Sequence, residues 1–208
     1  MKKTILAAIF SVFYMVSASA EVGINVGISG QVGLFAGSGQ ENVAGGTGSD
    51  NQNEGSEHGE AGWASVFVEK TLGDRLAIGV DYVPSALESE TTESVRQDHG
   101  VGAKENKVQI DFEDLTTLYV VLKANDNFYV KAGMMQVDVI TNESLGTGGT
   151  YPDREIEGLG LGIGYQHDFD VMGGMFVRAE VTASAYESVK AVNTTDVTKV
   201  ITVTDLYG

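Results

Sequence analysis

The sequence predicts an all-β chain folded as an antiparallel, up-and-down transmembrane β-barrel of eight strands. Three observations predict it: an N-terminal export signal, segments in which apolar residues alternate with small or polar ones, and connections that are alternately short and long. In membrane barrels the strands are apolar toward lipid and polar toward the lumen, with short turns at one end and longer loops at the other.

The first twenty residues have the pattern of a secretory signal peptide. Lys2 and Lys3 precede the apolar run "TILAAIFSVFYMV", and Ala18-Ser19-Ala20 supplies a small-residue cleavage site. A retained membrane anchor is the alternative, but the apolar centre is short for a membrane-spanning helix. The sequence therefore predicts a signal peptide at residues 1–20 and an exported domain at residues 21–208.

Composition narrows the classes of function. The 208 residues include no cysteine, which excludes disulfides and cysteine-based zinc sites. The formal charge of −16 becomes −18 once Lys2 and Lys3 leave with the signal peptide, and such acidity opposes nucleic-acid binding. The mean hydropathy of −0.02 is typical of a soluble protein. It also fits a membrane barrel, whose strands are apolar on one side only.

The first strand, "VGINVGISGQVGLFAG" (residues 22–37), shows the alternation most clearly. Its even-numbered residues are apolar apart from one glycine, whereas most of its odd-numbered residues are small or polar. The pattern continues for more than ten residues. Strands of soluble proteins usually have about five or six residues, whereas a tilted strand that crosses a bilayer needs about nine to eleven. The length favours a membrane.

The later strands follow with varying clarity. Strand two is predicted at about residues 62–72, and its facing is ambiguous because Trp63 and Phe67 oppose Val66 and Val68. The others are predicted at residues 76–82, about 106–123, 128–135, 157–169 and 177–184, with strand eight beginning near residue 198.

Strand six, "EGLGLGIGYQHDF" (residues 157–169), has glycine at every second position from 158 to 164. A dinucleotide-binding loop would instead need the spacing G-x-G-x-x-G followed by a helix. A strict period of two indicates a strand with two different faces. The glycines are therefore expected to face the narrow interior of a barrel.

The connections are alternately short and long. "LGDR", "NDN" and "FDVMGG" join strands two to three, four to five and six to seven, whereas residues 38–61, 84–105, 140–156 and 187–197 form long polar joints. A membrane barrel places its long loops outside and its short turns in the periplasm. The alternative, a secreted antiparallel sandwich, has no reason to sort its loops in this way.

Several charged and polar residues are predicted to face the lumen: Gln31, Asp81, Lys131, Arg178 and Glu180, with Glu69 added if strand two faces that way. Opposite charges in a confined interior are expected to pair, because an isolated buried charge is very costly. Arg178 is expected to pair with Glu180 or with a lumen acid on another strand. Such a network either closes the barrel as a plug, which eight strands favour, or forms a polar path for ions.

Aromatic residues near strand ends indicate the membrane interfaces. Tyr82, Phe128 and Tyr165 have the outward phase and are candidates for an aromatic girdle, although ordinary surface aromatics are the alternative for each. Trp63 is a further candidate whose face is unresolved.

No metal, cofactor or catalytic site is predicted. Asp50, Gln52 and Glu54 alternate as in a calcium loop, but Ala61 stands where that loop needs glutamate. The joint at residues 38–61 is expected to be a solvated acidic segment. Its only expected metal contact is weak bridging of Ca²⁺ or Mg²⁺ to lipid headgroups.

The histidines and serines give no stronger indication of catalysis. His58, His99 and His167 are scattered, and none is at metal-ligand spacing with another. A hydrolase would need a nucleophile, a base and an orienting group together, and no such set stands out.

The eight alternating segments, the signal peptide and the alternating loop lengths resemble the small outer-membrane barrels of the OmpA/OmpX type. The resemblance covers nearly the whole chain after residue 20, and it is architectural. It implies an integral outer-membrane protein of a Gram-negative envelope, monomeric and non-enzymatic, in contact with outer-membrane lipid, lipopolysaccharide and the assembly machinery.

The last strand departs from that family. Such barrels normally end on an aromatic residue that the assembly machinery recognises, whereas this chain ends "VITVTDLYG". Strand four contains the similar stretch "VQIDFEDL" and then continues with "TTLYVVLK". The comparison predicts an incomplete eighth strand.

The expected role is a structural or surface-interaction protein with acidic outer loops and a plugged lumen. Two alternatives stay open: a narrow porin-like channel for water, ions or small solutes, and a lipid-modifying enzyme.

Overall fold

The computed structural model describes residues 23–43, 52–98, 101–145, 149–169 and 175–208. Across these ranges the chain forms strands and irregular segments, and no helix there is long and apolar enough to cross a bilayer. The strands are β1 (Ile24–Val43), β2 (Gln52–Leu72), β3 (Leu76–Tyr82), β4 (Leu87–Glu88), β5 (Thr92–Asp98), β6 (Val101–Lys123), β7 (Phe128–Ser144), β8 (Arg154–Asp168), β9 (Phe176–Tyr186), β10 (Val189–Val192) and β11 (Lys199–Tyr207).

Eight of these strands form a closed ring of antiparallel neighbours. The order is β1-β2-β3-β6-β7-β8-β9-β11, and β11 pairs back onto β1 from Ala36↔Tyr207 to Val43↔Lys199. The remaining strands are attachments, since β4 and β5 pair with β6 and β10 pairs with β11. The predicted all-β, up-and-down barrel of eight strands is confirmed.

The two faces of each strand differ because successive side chains point to opposite sides of a sheet. On β8, Leu159, Leu161 and Ile163 point outward and are about two-thirds exposed, at 66%, 69% and 66%. The glycines between them point inward. The same alternation gives the ring an apolar outer surface and a lumen lined by small, polar and aromatic side chains.

Two of the predicted short turns lie at one end of the barrel, here named the turn end. Residues 73–75 join β2 to β3, with Gly73 at φ 70°, a left-handed conformation that glycine adopts without steric cost. Between β6 and β7, the Asn125 side-chain oxygen accepts hydrogen bonds from the backbone N–H groups of Asn127 and Phe128, at 2.9 and 2.8 Å. Most of the third predicted turn lies outside the described residues.

At the opposite end, named the loop end, the strands extend into segments predicted to be loops. β1 and β2 continue as a hairpin to Val43 and from Gln52, and β5 forms a second hairpin with the start of β6. The prediction that residues 38–61 and 84–105 are loops was therefore wrong in extent. Backbone pairing does not require an apolar face, so polar hairpins continue beyond the point where the alternation of side chains stops.

Two bulges have the same form. Asp114 on β6 and Asp205 on β11 have φ of 55° and 53°. Each bulged strand carries one extra residue, between Glu113 and Thr116 on β6 and between Thr204 and Tyr207 on β11. The similarity between "DFEDL" and "TVTDL" in the sequence thus corresponds to a shared backbone geometry.

The lumen has two layers of packed side chains. Toward the loop end, Val83, Leu115, Val137 and Ile156 form an apolar cluster. Toward the turn end, a second cluster contains Ala77, Val121 and two tyrosines, Tyr119 and Tyr129, and it borders the lumen's charged groups. These packed layers position the polar network of the lumen.

Candidate functional site

The central contact of the lumen is an ion pair between Arg178 on β9 and Glu69 on β2. The two guanidinium nitrogens Nη1 and Nη2 donate to Oε2 and Oε1 of Glu69, at 2.7 and 2.9 Å. The Glu69 side chain is 0% exposed and that of Arg178 is 15% exposed. β2 and β9 are not neighbours in the ring, so this bidentate pair crosses the interior and ties two parts of the wall together.

Further groups satisfy both partners of this ion pair. The Asn25 amide donates to Glu69 Oε1 at 3.2 Å, and the Tyr119 hydroxyl donates to Oε2 at 3.3 Å. Arg178 Nε donates to Gln166 at 2.8 Å. Its guanidinium lies 5.2 Å from the centroid of the Tyr129 ring, a cation–π contact. A buried charge pair needs such additional hydrogen bonds to offset its desolvation.

A second ion pair lies beside the first. Lys131 Nζ on β7 is 2.9 Å from Glu180 Oε1 on β9, and the Tyr129 hydroxyl donates to Glu180 Oε2 at 2.9 Å. The same ammonium lies 4.4 Å from the centroid of the Tyr119 ring. The side chains of Lys131 and Glu180 are 20% and 21% exposed. The two tyrosines therefore connect the buried pair with a partly exposed one.

A third branch completes the network. Gln31 donates to the Ser65 hydroxyl at 3.2 Å, and Ser65 donates to Asp81 at 2.9 Å. Both Ser65 and Asp81 are buried. All five residues predicted to face the lumen thus lie on the inner face, where Arg178 pairs with Glu69, Lys131 pairs with Glu180, and Gln31 reaches Asp81 through Ser65.

The open question about Arg178 is resolved by this geometry. Its carboxylate partner is the lumen acid Glu69, whereas Glu180 binds Lys131. Glu69 was uncertain in the sequence because the phase of strand two was ambiguous, and the structure places Trp63, Ser65 and Phe67 inward with it. The roles of Tyr119 and Tyr129 were missed, although their alternation with apolar residues indicated the inner face.

Glycines make room for these tyrosines. A Cβ at Gly79 would overlap the Tyr119 ring, and a Cβ at Gly164 would overlap the Tyr129 ring. Each ring therefore lies across a glycine of the adjacent strand, an arrangement known to support barrel sheets. The alternating glycines of β8 thus have a packing role, consistent with the interpretation that they do not form a phosphate loop.

The three girdle candidates lie on the outer face near strand ends. At the turn end, Phe128 and Tyr165 are cross-strand partners whose rings meet edge to face, with centroids 5.3 Å apart. Tyr82 lies toward the loop end and donates from its hydroxyl to Asp114 at 2.7 Å. Tyr207, which was not predicted as a girdle residue, is another outward aromatic and is 51% exposed.

The fourth aromatic candidate, Trp63, does not lie on the outer face. It points into the lumen, where its ring centroid is 5.6 Å from that of Phe35. Trp63 is the chain's single tryptophan, so its fluorescence reports on the lumen.

The positions considered for a calcium loop lie outside the described side chains, as does His99. Among the residues that the structure does describe, no three His, Asp or Glu side chains are grouped so as to hold a metal ion.

The chain matches no protein-family model and none of the curated proteins with which it was compared.

Proposed function

We propose that this chain is an integral outer-membrane β-barrel protein of a Gram-negative cell envelope, of the small OmpA/OmpX type. It has a structural or surface-interaction role and a lumen closed by its own charged side chains. The proposal includes export through the signal peptide at residues 1–20 and contact with outer-membrane lipid and lipopolysaccharide. It rests chiefly on one observation: a closed antiparallel ring with an apolar outer face and a polar, ion-paired interior.

The outer face supports a lipid environment. Large apolar side chains such as Val32, Leu34, Leu161 and Val181 are between two-thirds and nine-tenths exposed. Soluble proteins rarely expose contiguous apolar surface of this kind. In a bilayer these side chains would contact acyl chains, and ring closure would keep the backbone groups hydrogen-bonded where no water is present.

The lumen supports a plug rather than a pore. The Arg178–Glu69 pair crosses the interior, and Tyr119 and Tyr129 lie beside it. An ion passing this level would have to separate a bidentate buried pair, which is strongly unfavourable. Eight strands leave an interior that side chains alone can fill.

The loop end supports a role at the cell surface. The hairpins formed by β1 with β2 and by β5 with β6 extend the wall beyond the apolar band with polar and acidic sequence. Exposed segments held on a rigid scaffold are where binding contacts usually lie. In the proposed orientation, these hairpins face outward from the cell.

Cell fractionation tests the membrane assignment. We expect the protein in the outer-membrane fraction, resistant to high salt and to alkaline carbonate. Release by carbonate, or recovery as a soluble periplasmic protein, would contradict it and favour a secreted β-protein.

Single-channel conductance in planar bilayers tests the plug. We expect the wild-type protein to be silent and the double variant E69Q/R178M to show a small open level, because removing both charges unlocks the interior. The variant K107Q is the matched control, since Lys107 on β6 forms an ion pair with Glu93 on β5, in the hairpin at the loop end. A stable open level in the wild type would favour the narrow channel instead.

A further inference from the structure

A shallow pocket lies on the outer face of the barrel, where β1 and β2 meet the Asp205 bulge of β11. Its volume is about 350 Å³. The residues that line it include Ala36, Ser38, Ser56, His58, Asp205 and Tyr207. Each of these lies level with the Ala36–Tyr207 pair or farther toward the loop end. This cavity is named the bulge pocket.

Small outward side chains make room for the bulge pocket. On β1 the outward residues Val32 and Leu34 are 90% and 75% exposed, and the next two outward residues toward the loop end are Ala36 and Ser38. Ser56 of β2 lies directly across from Ser38. The change from large apolar to small side chains marks the loop-end border of the proposed lipid-facing surface, so the pocket lies at the level of lipid headgroups.

The bulge pocket contains an unpaired carboxylate. Asp205 is exposed, and no described residue donates a hydrogen bond to its carboxylate or forms an ion pair with it. At the corresponding bulge of β6, by contrast, Asp114 accepts a hydrogen bond from the Tyr82 hydroxyl at 2.7 Å. Glu60, two residues from His58 on the same outward face of β2, adds a second exposed carboxylate. Because the dielectric constant falls at the border of a bilayer, these carboxylates attract a cationic group more strongly there than in bulk water.

Hydrogen-bond donors lie beside the Asp205 carboxylate. The Ser38 and Ser56 hydroxyl oxygens are 3.3 Å apart, so one hydroxyl donates to the other and leaves the second proton for an outside acceptor. His58, the ladder partner of Ala36, has an imidazole N–H that can also donate. The pocket therefore places an anion next to neutral donors, an arrangement that complements a zwitterion with a positive and a negative end.

We propose that the bulge pocket binds the ethanolamine phosphate headgroup of a phospholipid. The ammonium group donates to the Asp205 carboxylate and lies beside the Tyr207 ring, which favours a cation. The phosphate accepts hydrogen bonds from the serine hydroxyls and His58, and the acyl chains lie along Leu34 and Val32. This inference rests on the proposed membrane location, because only a bilayer presents such a lipid at this level of the outer face.

Native mass spectrometry of the protein in non-ionic detergent micelles tests the headgroup by counting bound lipids. Phosphatidylethanolamine, phosphatidylcholine and phosphatidylglycerol are added separately, with the same acyl chains. We expect one phosphatidylethanolamine to bind with about tenfold higher affinity than either other lipid, because a trimethylated nitrogen cannot donate hydrogen bonds and glycerol carries no charge. Backbone amide NMR shifts should change at residues 36–38, 56–58 and 204–206.

The two bulge aspartates give a matched pair of variants. D205N removes the charge but keeps the size of the side chain, and asparagine tolerates the φ of 53°. We expect it to lower the affinity for phosphatidylethanolamine to that for phosphatidylcholine. D114N makes the same change at φ 55° on β6, outside the pocket, and should leave the preference unchanged. A36L fills the pocket without changing its charge and should weaken binding as D205N does, even if D205N folds poorly.

Several distinct results would overturn the proposal. Equal affinities for the three lipids, in protein that resists carbonate extraction, would exclude a headgroup site while leaving the membrane assignment intact. An unchanged preference in both D205N and A36L would show that the lipid binds elsewhere on the barrel. Binding of soluble O-phosphoethanolamine as tight as that of the lipid would show that the pocket takes a free small molecule. Release of the wild type by carbonate would instead remove the membrane location on which the proposal rests.

Discussion

The substitution Arg178→Met tests whether the buried ion pair holds the barrel together. It keeps a long aliphatic side chain but removes the guanidinium, so the fully buried Glu69 carboxylate retains only the Asn25 amide and the Tyr119 hydroxyl as partners. Removing one partner of a buried pair costs about 3–5 kcal/mol, because the other charge stays buried and uncompensated. We expect the free energy of unfolding to fall by that amount.

Two further substitutions give losses in the free energy of unfolding with which the Arg178→Met value can be compared. Lys131→Met removes a charge whose pair with Glu180 is partly exposed, and Glu180 keeps its hydrogen bond from Tyr129. We expect a smaller loss of about 1.5–3 kcal/mol, the range for hydrogen bonds to charged groups. Lys107→Gln breaks the exposed pair between Lys107 on β6 and Glu93 on β5, and surface pairs contribute about 1 kcal/mol or less.

The assay is equilibrium unfolding in urea in detergent micelles, followed by the emission of Trp63. This tryptophan lies in the lumen against Phe35, so its environment changes when the barrel opens. The double variant E69Q/R178M should be more stable than R178M alone, because no buried charge is left unpaired. If R178M is as stable as K107Q, or if the double variant costs the sum of the two single losses, the ion pair does not stabilise the fold in this way.

Three further substitutions or titrations probe other parts of the chain. Gly164→Ala should destabilise by about 1–3 kcal/mol, because the added methyl overlaps the Tyr129 ring; an unchanged urea midpoint would contradict that packing. Asp114→Ala should be less stable than Asp114→Gly by about 1 kcal/mol, since both lose the same hydrogen bond and only alanine is strained at φ 55°; equal midpoints would remove the argument from strain. The side-chain and backbone hydrogen bonds from Thr198 hold the pKa of the Asp196 carboxyl below its usual range. The ionised carboxylate therefore stabilises the turn at pH values above the usual carboxyl pKa, and this stabilisation is lost as the pH falls through the lowered pKa. Carboxyl carbon NMR should show this titration, and Thr198→Val should raise the pKa toward the usual value; an unmoved pKa would refute the cause.

Local alternation made most of the barrel predictable from the sequence. In β8 the apolar residues and glycines alternate without interruption, so the outer and inner faces follow from the period alone. Gly73 in "LGDR" and the asparagines in "NDN" identified turns by their chemistry. These signals depend on neighbours in the chain, and a single sequence contains them.

Contacts across the lumen were harder to predict. Arg178 and Glu69 are 109 positions apart, and nothing local distinguishes Glu69 from Glu180 as the partner. The choice depends on the stagger of the strands around the ring, which sets which inward residues lie at the same height. In β2, aromatic residues on one face alternate with valines on the other. Both faces are therefore apolar, and the sequence does not show which of them faces the lumen.

The polar hairpins at the loop end were also missed, for a different reason. The sequence of β5 and of the start of β6 is polar and shows no regular alternation of apolar residues. Their strand geometry comes from continued backbone pairing, which leaves little trace in the sequence. Farther along β6, the bulge at Asp114 did leave a signal in the sequence, because the residues around Asp114 resemble those around Asp205.

A single-cysteine scan along β7 in lipid vesicles tests the central claim most directly, because the chain has no cysteine of its own. Spin labels at residues 128–137 would report access to oxygen, which concentrates in the bilayer, and to a water-soluble nickel complex. Val130 and Met134 should show bilayer contact, whereas Lys131 and Met135 should not, with a period of two. Uniform access of the nickel complex along the strand would show that the apolar face meets water, and the membrane barrel would have to be abandoned.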